Sequence, residues 1–504
     1  MMNIKHFLKM KFGFDEFRPG QKEVIESLMS GHHTLAMLPT GSGKSLCYQL
    51  PAYLLNKTVL IVSPLLSLMQ DQADQLKMNG EKSVLTLNSF LTMNQKRMAF
   101  DRLHRYRFIF LSPEMLSLEG VIQSLKSIDI GLFVIDEAHC ISQWGYDFRP
   151  DYLNLGEVRR ELNDPLTLAL TATATNEVRQ DIVSKLNIGQ AKEIVSSVDR
   201  ENITILIERI HSYEEKQYRL LELVKEFTGS GIIYFSSKRV AEAVTGFLQE
   251  NGVDSVNYYH GGMEQEQRML IQQQFISGQL KVICATSAFG MGVNKADVRY
   301  VIHFHMPSTM EAYLQEIGRA GRDQKQSVAI LLYNDGDEGL PLHLMEQQLP
   351  TDNQIEGVCS YLGATGMTLA TCTLTEKEHL SQSYSLNEVQ LRFFIQLIVA
   401  TANPLHQVAE MKEYCRKRKF ANQEKLQKFL NWIRAKECRR TGVLAYFDEE
   451  QQAVNPQCCD NCGMDAKKME ELWPDVKLEH VNSFSTWKEE LAFILLKKEN
   501  GHEK

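Results

Sequence analysis

Eight short, continuously apolar runs within residues 1–335 limit the fold of this chain more than any other feature. They are TVLIVS (58–63), RFIFLS (107–112), GLFVIDE (131–137), LTLALT (166–171), GIIYFSS (231–237), KVICAT (281–286), YVIHF (300–304) and SVAILL (327–332). Longer amphipathic stretches separate them. A strand that is apolar on both faces has to be covered on both faces, and intervening helices supply that cover. The pattern therefore predicts an α/β architecture with parallel sheets. The segment SSVDRENITI (196–205) reads as the passage between two such units.

Beyond Asp335 the texture changes to helical periodicity with few β-branched runs. LNEVQLRFFIQLIVA (386–400) reads as an amphipathic helix. Residues 411–440 carry eleven Lys and Arg against three Glu, with Tyr414, Phe420, Phe429 and Trp432 among them. Alone, that run would be a solvated basic face. A chain of 504 residues has room for about three or four domains. No apolar run approaches the roughly 18 residues of a membrane helix. The opening MMNIKHFLKMKFGF lacks the pattern of a secretory signal, so a cytosolic (cytoplasmic) location is expected. The balance of 55 basic and 63 acidic residues gives −8. That argues against a nucleic-acid coat protein, yet leaves room for a nucleic-acid enzyme with local basic patches. Four of the ten cysteines crowd into 438–462, and in a cytosolic chain such a cluster points to metal before disulfide.

Three motifs carry chemistry. LPTGSGKS (38–45) ends in G-K-S and leads into the helical LCYQLPAYLL. Its glycines let successive backbone N–H groups turn toward one phosphate, at the positive end of a helix. Lys44 suits the β- and γ-phosphates and the Ser45 hydroxyl suits Mg²⁺. The first position of the usual pattern is Leu38 instead of glycine. DEAH (136–139) follows an apolar strand directly, where α/β folds bind ligands. Asp136 suits a Mg²⁺ partner and Glu137 the base for an attacking water. GRAGRD (318–323) offers Arg319 and Arg322, three apart and so on one face if helical. Arginines supplied by a second domain can stabilise γ-phosphate charge.

These motifs, in this order, resemble the RecQ family of superfamily-two DNA helicases, in a short bacterial-type form. The likeness spans most of 10–335 and resumes near 411–462. FGFDEFRPGQKEVIE (12–26) is similar to the adenine-reading segment, which implies Gln21 as the base-specific residue. LPTGSGKSLCYQLP resembles the family's phosphate loop, which implies Pro39, Thr40, Gly41, Ser42, Gly43, Lys44 and Ser45 around the nucleotide. VSPLLSLMQDQ (62–72) resembles a segment that touches the DNA backbone, with Ser63 and Pro64. ALTATAT (169–175) resembles the coupling segment, with Thr171 and Thr173. HCISQWGYDFRPDY (139–152) resembles the aromatic-rich loop that links strand binding to hydrolysis, and Trp144, Tyr146, Phe148 and Arg149 suit stacking and charge. In the second half, the resemblance implies Thr286, Ser287 and backbone near Gly290–Gly292 on the tracking strand. It also implies Asp297 near the nucleotide, and Gln315, Arg319 and Arg322 at the ATP interface.

The resemblance implies two tandem RecA-like parallel-sheet domains (1–199 and 200–335). They are followed by a helical region (336–410, helix-turn-helix-like), a basic helical zinc-binding module (411–465) and a tail (466–504). LNEVQLRFFIQLI reads as a packing helix ahead of a recognition helix. The zinc ligands are expected to be Cys438, Cys459 and Cys462, with Cys458 or Asp465 fourth. C-x₂-C pairs fit tetrahedral Zn²⁺ in a structural role. Only 42 residues follow Cys462, too few for a full winged helix, so the family's strand-separating hairpin is not expected. The implied activity is ATP-dependent, 3′ to 5′ unwinding of single-strand-tailed, forked or duplex DNA in repair and recombination, with ATP, Mg²⁺ and Zn²⁺. Two rivals are an ATP-gated DNA remodelling factor and an RNA helicase.

Overall fold

The computed structural model describes residues 4–468 apart from 65, 89–90, 117, 143–148, 291–294, 368, 370–371, 399–403 and 451–457. Thirteen strands appear among them. The first sheet contains β1 (Thr34–Met37), β2 (Thr58–Val62), β3 (Val84–Leu87), β4 (Phe108–Leu111), β5 (Ile130–Ile135), β6 (Thr167–Thr171) and β7 (Lys192–Val195). The second contains β8 (Ile203–Arg209), β9 (Ser230–Tyr234), β10 (Val256–Tyr259), β11 (Val282–Ala285), β12 (Val298–His303) and β13 (Ser327–Tyr333). Their orders are β3-β4-β2-β5-β6-β1-β7 and β10-β11-β9-β12-β13-β8. Every pairing in both sheets is parallel.

All eight apolar runs are strands, and they hold the middle of both sheets. Four of the five additional strands, β3, β7, β8 and β10, lie at sheet edges. An edge strand needs cover on fewer sides, so its sequence is freer. β7 shows this best: Lys192, Glu193 and Val195 are exposed. β8 is apolar at its start, but its first three residues lie inside the stretch that reads as a passage between units.

The region beyond 335 is helical. Gly339–Gln347, Asp352–Thr365, Leu374–Ser383 and Glu388–Leu397 precede the 27-residue helix Val408–Arg434 and the shorter Arg439–Tyr446. The amphipathic run thus forms the helix Glu388–Leu397. Phe393 and Phe394 bury its inner face, and the buried Gln390 donates to the carbonyls of Gln347 and Leu349. That is the behaviour of a packing helix.

The helix Val408–Arg434 crosses position 411 and belongs to two cores. Met411 and Cys415 join a cluster built from Ile355, Leu362, Leu380 and Phe394. Phe429, Trp432 and Ile433 join the core of the second sheet. Phe429 and Trp432 stack at 5.4 Å, and both rings meet Tyr313, at 5.6 and 5.3 Å. Tyr313 lies on the helix Met310–Ile317, which leads into GRAGRD. On the same helix, the buried Glu311 pairs with Lys425 at 2.9 Å and accepts from the Tyr446 hydroxyl at 3.0 Å. The helical region is therefore bolted to the element that presents the arginines.

Phe429→Ala should destabilise the protein by about 3–5 kcal/mol, because a fully buried ring leaves a cavity. Phe420→Ala, at a ring 69% exposed on the same helix, should cost under about 0.5 kcal/mol. Urea unfolding followed by tryptophan fluorescence separates the two; equal midpoints would refute this account of the packing.

Candidate active site and metal centre

A cleft of about 710 Å³ opens where the two sheet domains meet. Its floor is the loop after β1. Gly41 and Gly43 adopt left-handed φ of 85° and 77°, and the helix Leu46–Leu55 begins just beyond. Gly41 is required twice over. Its φ disfavours a side chain, and a Cβ there would lie 2.9 Å from Cγ of Arg322. Lys44 and Ser45 line the cleft, as do Thr40, Gly41 and Gly43. Ser42 turns its hydroxyl into a buried space without a hydrogen-bond partner. Pro39 supplies the carbonyl that accepts from Ser42 N.

Gln21 begins the helix Gln21–Met29 and is buried at the edge of this loop. Its Nε2 donates to the carbonyls of Ser42 and Gly43, at 2.8 and 3.1 Å, while its Oε1 accepts from Arg18 N at 2.9 Å. The Arg18 guanidinium donates to the Gly41 carbonyl. Arg18 lines the cleft too, although sequence reasoning singled out only Gln21; the signal was its place three residues earlier.

Asp136 and Glu137 follow β5 and both are buried. Burial pushes the Asp136 carboxyl well above its usual range; Glu137 adds to this and Lys44 opposes it. Glu137 adopts φ 48°, a left-handed conformation that non-glycine residues reach only at a cost of about 1–3 kcal/mol. One oxygen, Oε2, has no hydrogen-bond partner. Two adjacent, desolvated carboxylates that repel each other, one with an orphaned oxygen, suit a hydrated divalent cation. Tyr152 donates its hydroxyl to the Asp136 carbonyl at 3.1 Å. His139 Nδ1 lies 3.0 Å from the Thr171 hydroxyl, which in turn reaches the Thr173 carbonyl at 3.3 Å.

The second domain closes the cleft with Gln315, Arg319 and Arg322. The expected shared helical face is corrected: the helix ends at Ile317, and both arginines sit on the following turn. Gly321 takes φ 56° there, and the turn still delivers both side chains to the cleft. Arg319 donates to the Gly290 carbonyl, and its Nε lacks a partner. Burial and the neighbouring Arg319 push Arg322 down to about 9. So many crowded cations call for a polyanion. Asp297 does not join them; it is exposed, pairs with Lys295 at 3.0 Å and does not line the cleft.

Ser63 is buried after β2, and the Pro64 carbonyl accepts from Arg149 at 2.7 Å. Thr286 is partly exposed and Ser287 exposed after β11. Trp144, Tyr146, Phe148 and Gly292 lie outside the described residues, as do Trp473 and Trp487.

The four cysteines converge. The sulfurs of Cys438, Cys458, Cys459 and Cys462 all lie within 4.8 Å of one another. Cys438 Sγ is 3.3 Å from Cys458 Sγ and 3.9 Å from Cys459 Sγ. A tetrahedral Zn²⁺ with 2.3 Å bonds sets such sulfurs about 3.8 Å apart. Arg439 N donates to Cys459 Sγ at 3.3 Å, and Arg440 Nε to Cys458 Sγ at 3.4 Å, as a thiolate set requires. Cys458 lies in this group of sulfurs, whereas the Asp465 carboxylate instead accepts from Lys468 N at 2.8 Å. The sulfurs of the adjacent Cys458 and Cys459 both reach the cluster.

Two parallel-sheet domains with a phosphate loop on one and arginines on the other define a nucleotide-driven motor ATPase. Comparison with known proteins makes this specific. Residues 18–182 match the DEAD/DEAH box helicase family, 215–324 the helicase conserved C-terminal domain and 389–463 the RecQ zinc-binding family. The chain is 44% identical over 491 residues to "Probable ATP-dependent DNA helicase RecS" of Bacillus subtilis (strain 168), covering 96% of this chain and 97% of that one. It is 41% identical over 352 residues to "ATP-dependent DNA helicase RecQ" of Haemophilus influenzae, covering 69% of this chain and 56% of that one. The fold also matches the DUF1998 helicase MrfA bound to DNA (TM-score 0.57, 21% identity, 66% of this chain and 51% of that). Another match is S. cerevisiae Dbp5 bound to RNA and ADP BeF3 (TM-score 0.56, 20% identity, 68% and 90%). The chain belongs to the RecQ family of ATP-dependent DNA helicases, in the short form typified by RecS. It is an ATP-driven DNA-unwinding enzyme that uses ATP, Mg²⁺ and a structural Zn²⁺. No helix among the described residues is long and apolar enough to cross a membrane.

Metal analysis of the purified protein should find about one zinc per chain. Cys459→Ala should remove it and lower the thermal midpoint, while Asp465→Ala should keep it. Zinc loss in the Asp465 variant with retention in a Cys458 variant would reverse the ligand assignment.

Proposed function

We propose that ATP binds between the domains and is hydrolysed only when they close, and that closure and reopening move the chain along a DNA strand. The carrying observation is that Arg319 and Arg322, from the second domain, line the same cleft as Lys44, Asp136 and Glu137 from the first. Lys44 binds the β- and γ-phosphates, with Thr40, Gly41, Ser42 and Gly43 wrapping them by backbone N–H groups after Pro39. Gln21 reads adenine, for which it must give up one of its bonds to the loop. Mg²⁺, held through Ser45 and Asp136, supplies neutralising charge at the phosphates. Glu137 takes the proton of the attacking water. Arg319 and Arg322 meet the charge that develops on the γ-phosphate, and Gln315 helps to orient the reacting groups. Asp297 lies further out; a role at the nucleotide requires a rearrangement of its loop.

The tracking strand runs across Ser63, Pro64, Thr286 and Ser287, which all follow the C-terminal ends of their strands. Trp144, Phe148 and Arg149 stack on and neutralise it. Movement is 3′ to 5′, on single-stranded, forked or duplex DNA, in repair and recombination in the cytosol; family membership supports these assignments. Residues 336–410 brace the zinc module at 411–465.

The test is ATPase rate with and without single-stranded DNA, beside strand separation on 3′-tailed and 5′-tailed duplexes. Stimulated hydrolysis and unwinding of the 3′-tailed duplex are expected. Lys44→Ala and Arg319→Ala should each lower kcat by at least about 10³-fold. Stimulation without unwinding would favour the remodelling factor, and unwinding of the 5′-tailed duplex alone would reverse the polarity.

A further inference from the structure

The passage between the domains contains a side chain that no motif above uses. Arg200 follows Asp199 at the start of the second domain and reaches both halves of the ATP cleft. Its Nη1 donates to the Thr40 carbonyl of the phosphate loop at 3.0 Å and to the Gly318 carbonyl at 3.3 Å. Its Nη2 donates to the carbonyls of Ala320 and Gly321, at 3.0 and 2.7 Å. One guanidinium thus ties the loop that holds phosphates to the turn that carries Arg319 and Arg322. The fork of fixed N–H directions suits this, as a lysine ammonium would not. Among the described residues Arg200 makes no ion pair, and both of its Nη groups donate to backbone carbonyls.

The segment around Arg200 is held from both sides. Asn202 donates to the carbonyls of Gly321 and Lys325, at 2.8 and 2.9 Å, and accepts from Arg200 Nε. From the zinc module, Arg440 pairs with Asp199 and donates to the Ile203 carbonyl at 2.7 Å. Glu449 accepts from the Ser197 hydroxyl at 2.5 Å and from Val198 N at 3.1 Å. A linker free to swing would not need four such anchors. The two domains also touch across the cleft's far side, where Gln272 donates to Asp71 at 3.0 Å.

We propose that Arg200 is a positioning residue for hydrolysis: it latches the arginine-bearing turn to the phosphate loop when the cleft closes. It touches neither phosphate nor water, and acts through the loops that do. Opening the cleft breaks the Thr40 bond while the Ala320 and Gly321 bonds, within the second domain, remain. The latch is therefore made and broken once per cycle. The inference rests on the ATP-site reading above.

The test uses the full-length protein with its zinc, and compares Arg200→Ala, Arg200→Lys and Lys44→Ala. Three quantities are measured: DNA-stimulated kcat, affinity for a fluorescent ADP, and the thermal midpoint. ADP needs chiefly the first domain, so it reports the phosphate loop without the latch. For Arg200→Ala, kcat should fall at least about tenfold with ADP affinity within twofold. Arg200→Lys should recover part of that loss, since an ammonium can span one carbonyl of each loop. Lys44→Ala should lose both turnover and ADP binding; if it keeps them, the ATP-site reading itself fails. A kcat within twofold of the parent in Arg200→Ala overturns the latch. So does a kcat loss matched by an equal loss of ADP affinity, or a drop in midpoint with kcat retained, which marks a static brace. If Arg200→Ala does not fold, Arg200→Lys decides: a reduced kcat with unchanged ADP affinity upholds the latch, and an unchanged kcat overturns it.

Discussion

The crowding of positive charge around the phosphate loop governs this structure. Lys44, Arg18, Arg200, Arg319 and Arg322 come from both domains into one cleft or its rim. Burial pushes Arg200 down, and the Arg18 charge pushes it the same way. Arg322 is driven down by burial and then by Arg319. Arginine keeps its proton at ordinary pH, so the repulsion is relieved by a bound anion instead of by deprotonation. A triphosphate does this for the closed arrangement far better than a diphosphate. In the proposed cycle the domains then separate more readily after the γ-phosphate leaves, and ligand charge is the source of motion.

The zinc module has a mechanical place in this scheme. None of its described residues lines the ATP cleft. It packs Phe429 and Trp432 on Tyr313 and pairs Lys425 with Glu311, both on the helix that carries Gln315 and ends at the arginine turn. It also grips the passage between domains through Arg440 and Glu449. Ile205 N accepts no freedom either, since it donates to the Cys458 carbonyl at 3.1 Å. A small metal-stapled unit can thus transmit whatever its basic helix touches, because it shares a core with the second domain.

Much of this was legible in the residues. The central strands announce themselves because both faces must be apolar, and the phosphate loop and DEAH follow strands as ligand-binding residues in α/β folds do. The four thiols were legible from spacing, while the choice between Cys458 and Asp465 needed the fold, which gathers four sulfurs and ties the Asp465 carboxylate to Lys468 N. Edge strand β7 was hidden because solvent permits its Lys192 and Glu193. Arg200 left no signal at all. The partners that join the two loops are backbone carbonyls, which every residue type carries, so nothing in composition or spacing marks those bonds. The conditional helical face for Arg319 and Arg322 does not apply, because the helix ends at Ile317 and Gly321 takes a left-handed φ in the turn that carries them.

The proposed link from strand to hydrolysis runs through a buried histidine. His139 Nδ1 lies 3.0 Å from the Thr171 hydroxyl, which reaches the Thr173 carbonyl at 3.3 Å. That same nitrogen lies 3.5 Å from Glu137 Oε2. Glu137 thus holds its left-handed conformation beside a ring that also contacts the 171–173 segment. On the other side, Arg149 N bonds to the Cys140 carbonyl while its side chain holds the Pro64 carbonyl. The ends of the aromatic segment are therefore tied together at the residue directly after DEAH, and to the loop after β2. A base stacking between those ends would load Cys140, and through it the backbone conformation that Glu137 can hold only while its surroundings insist on it.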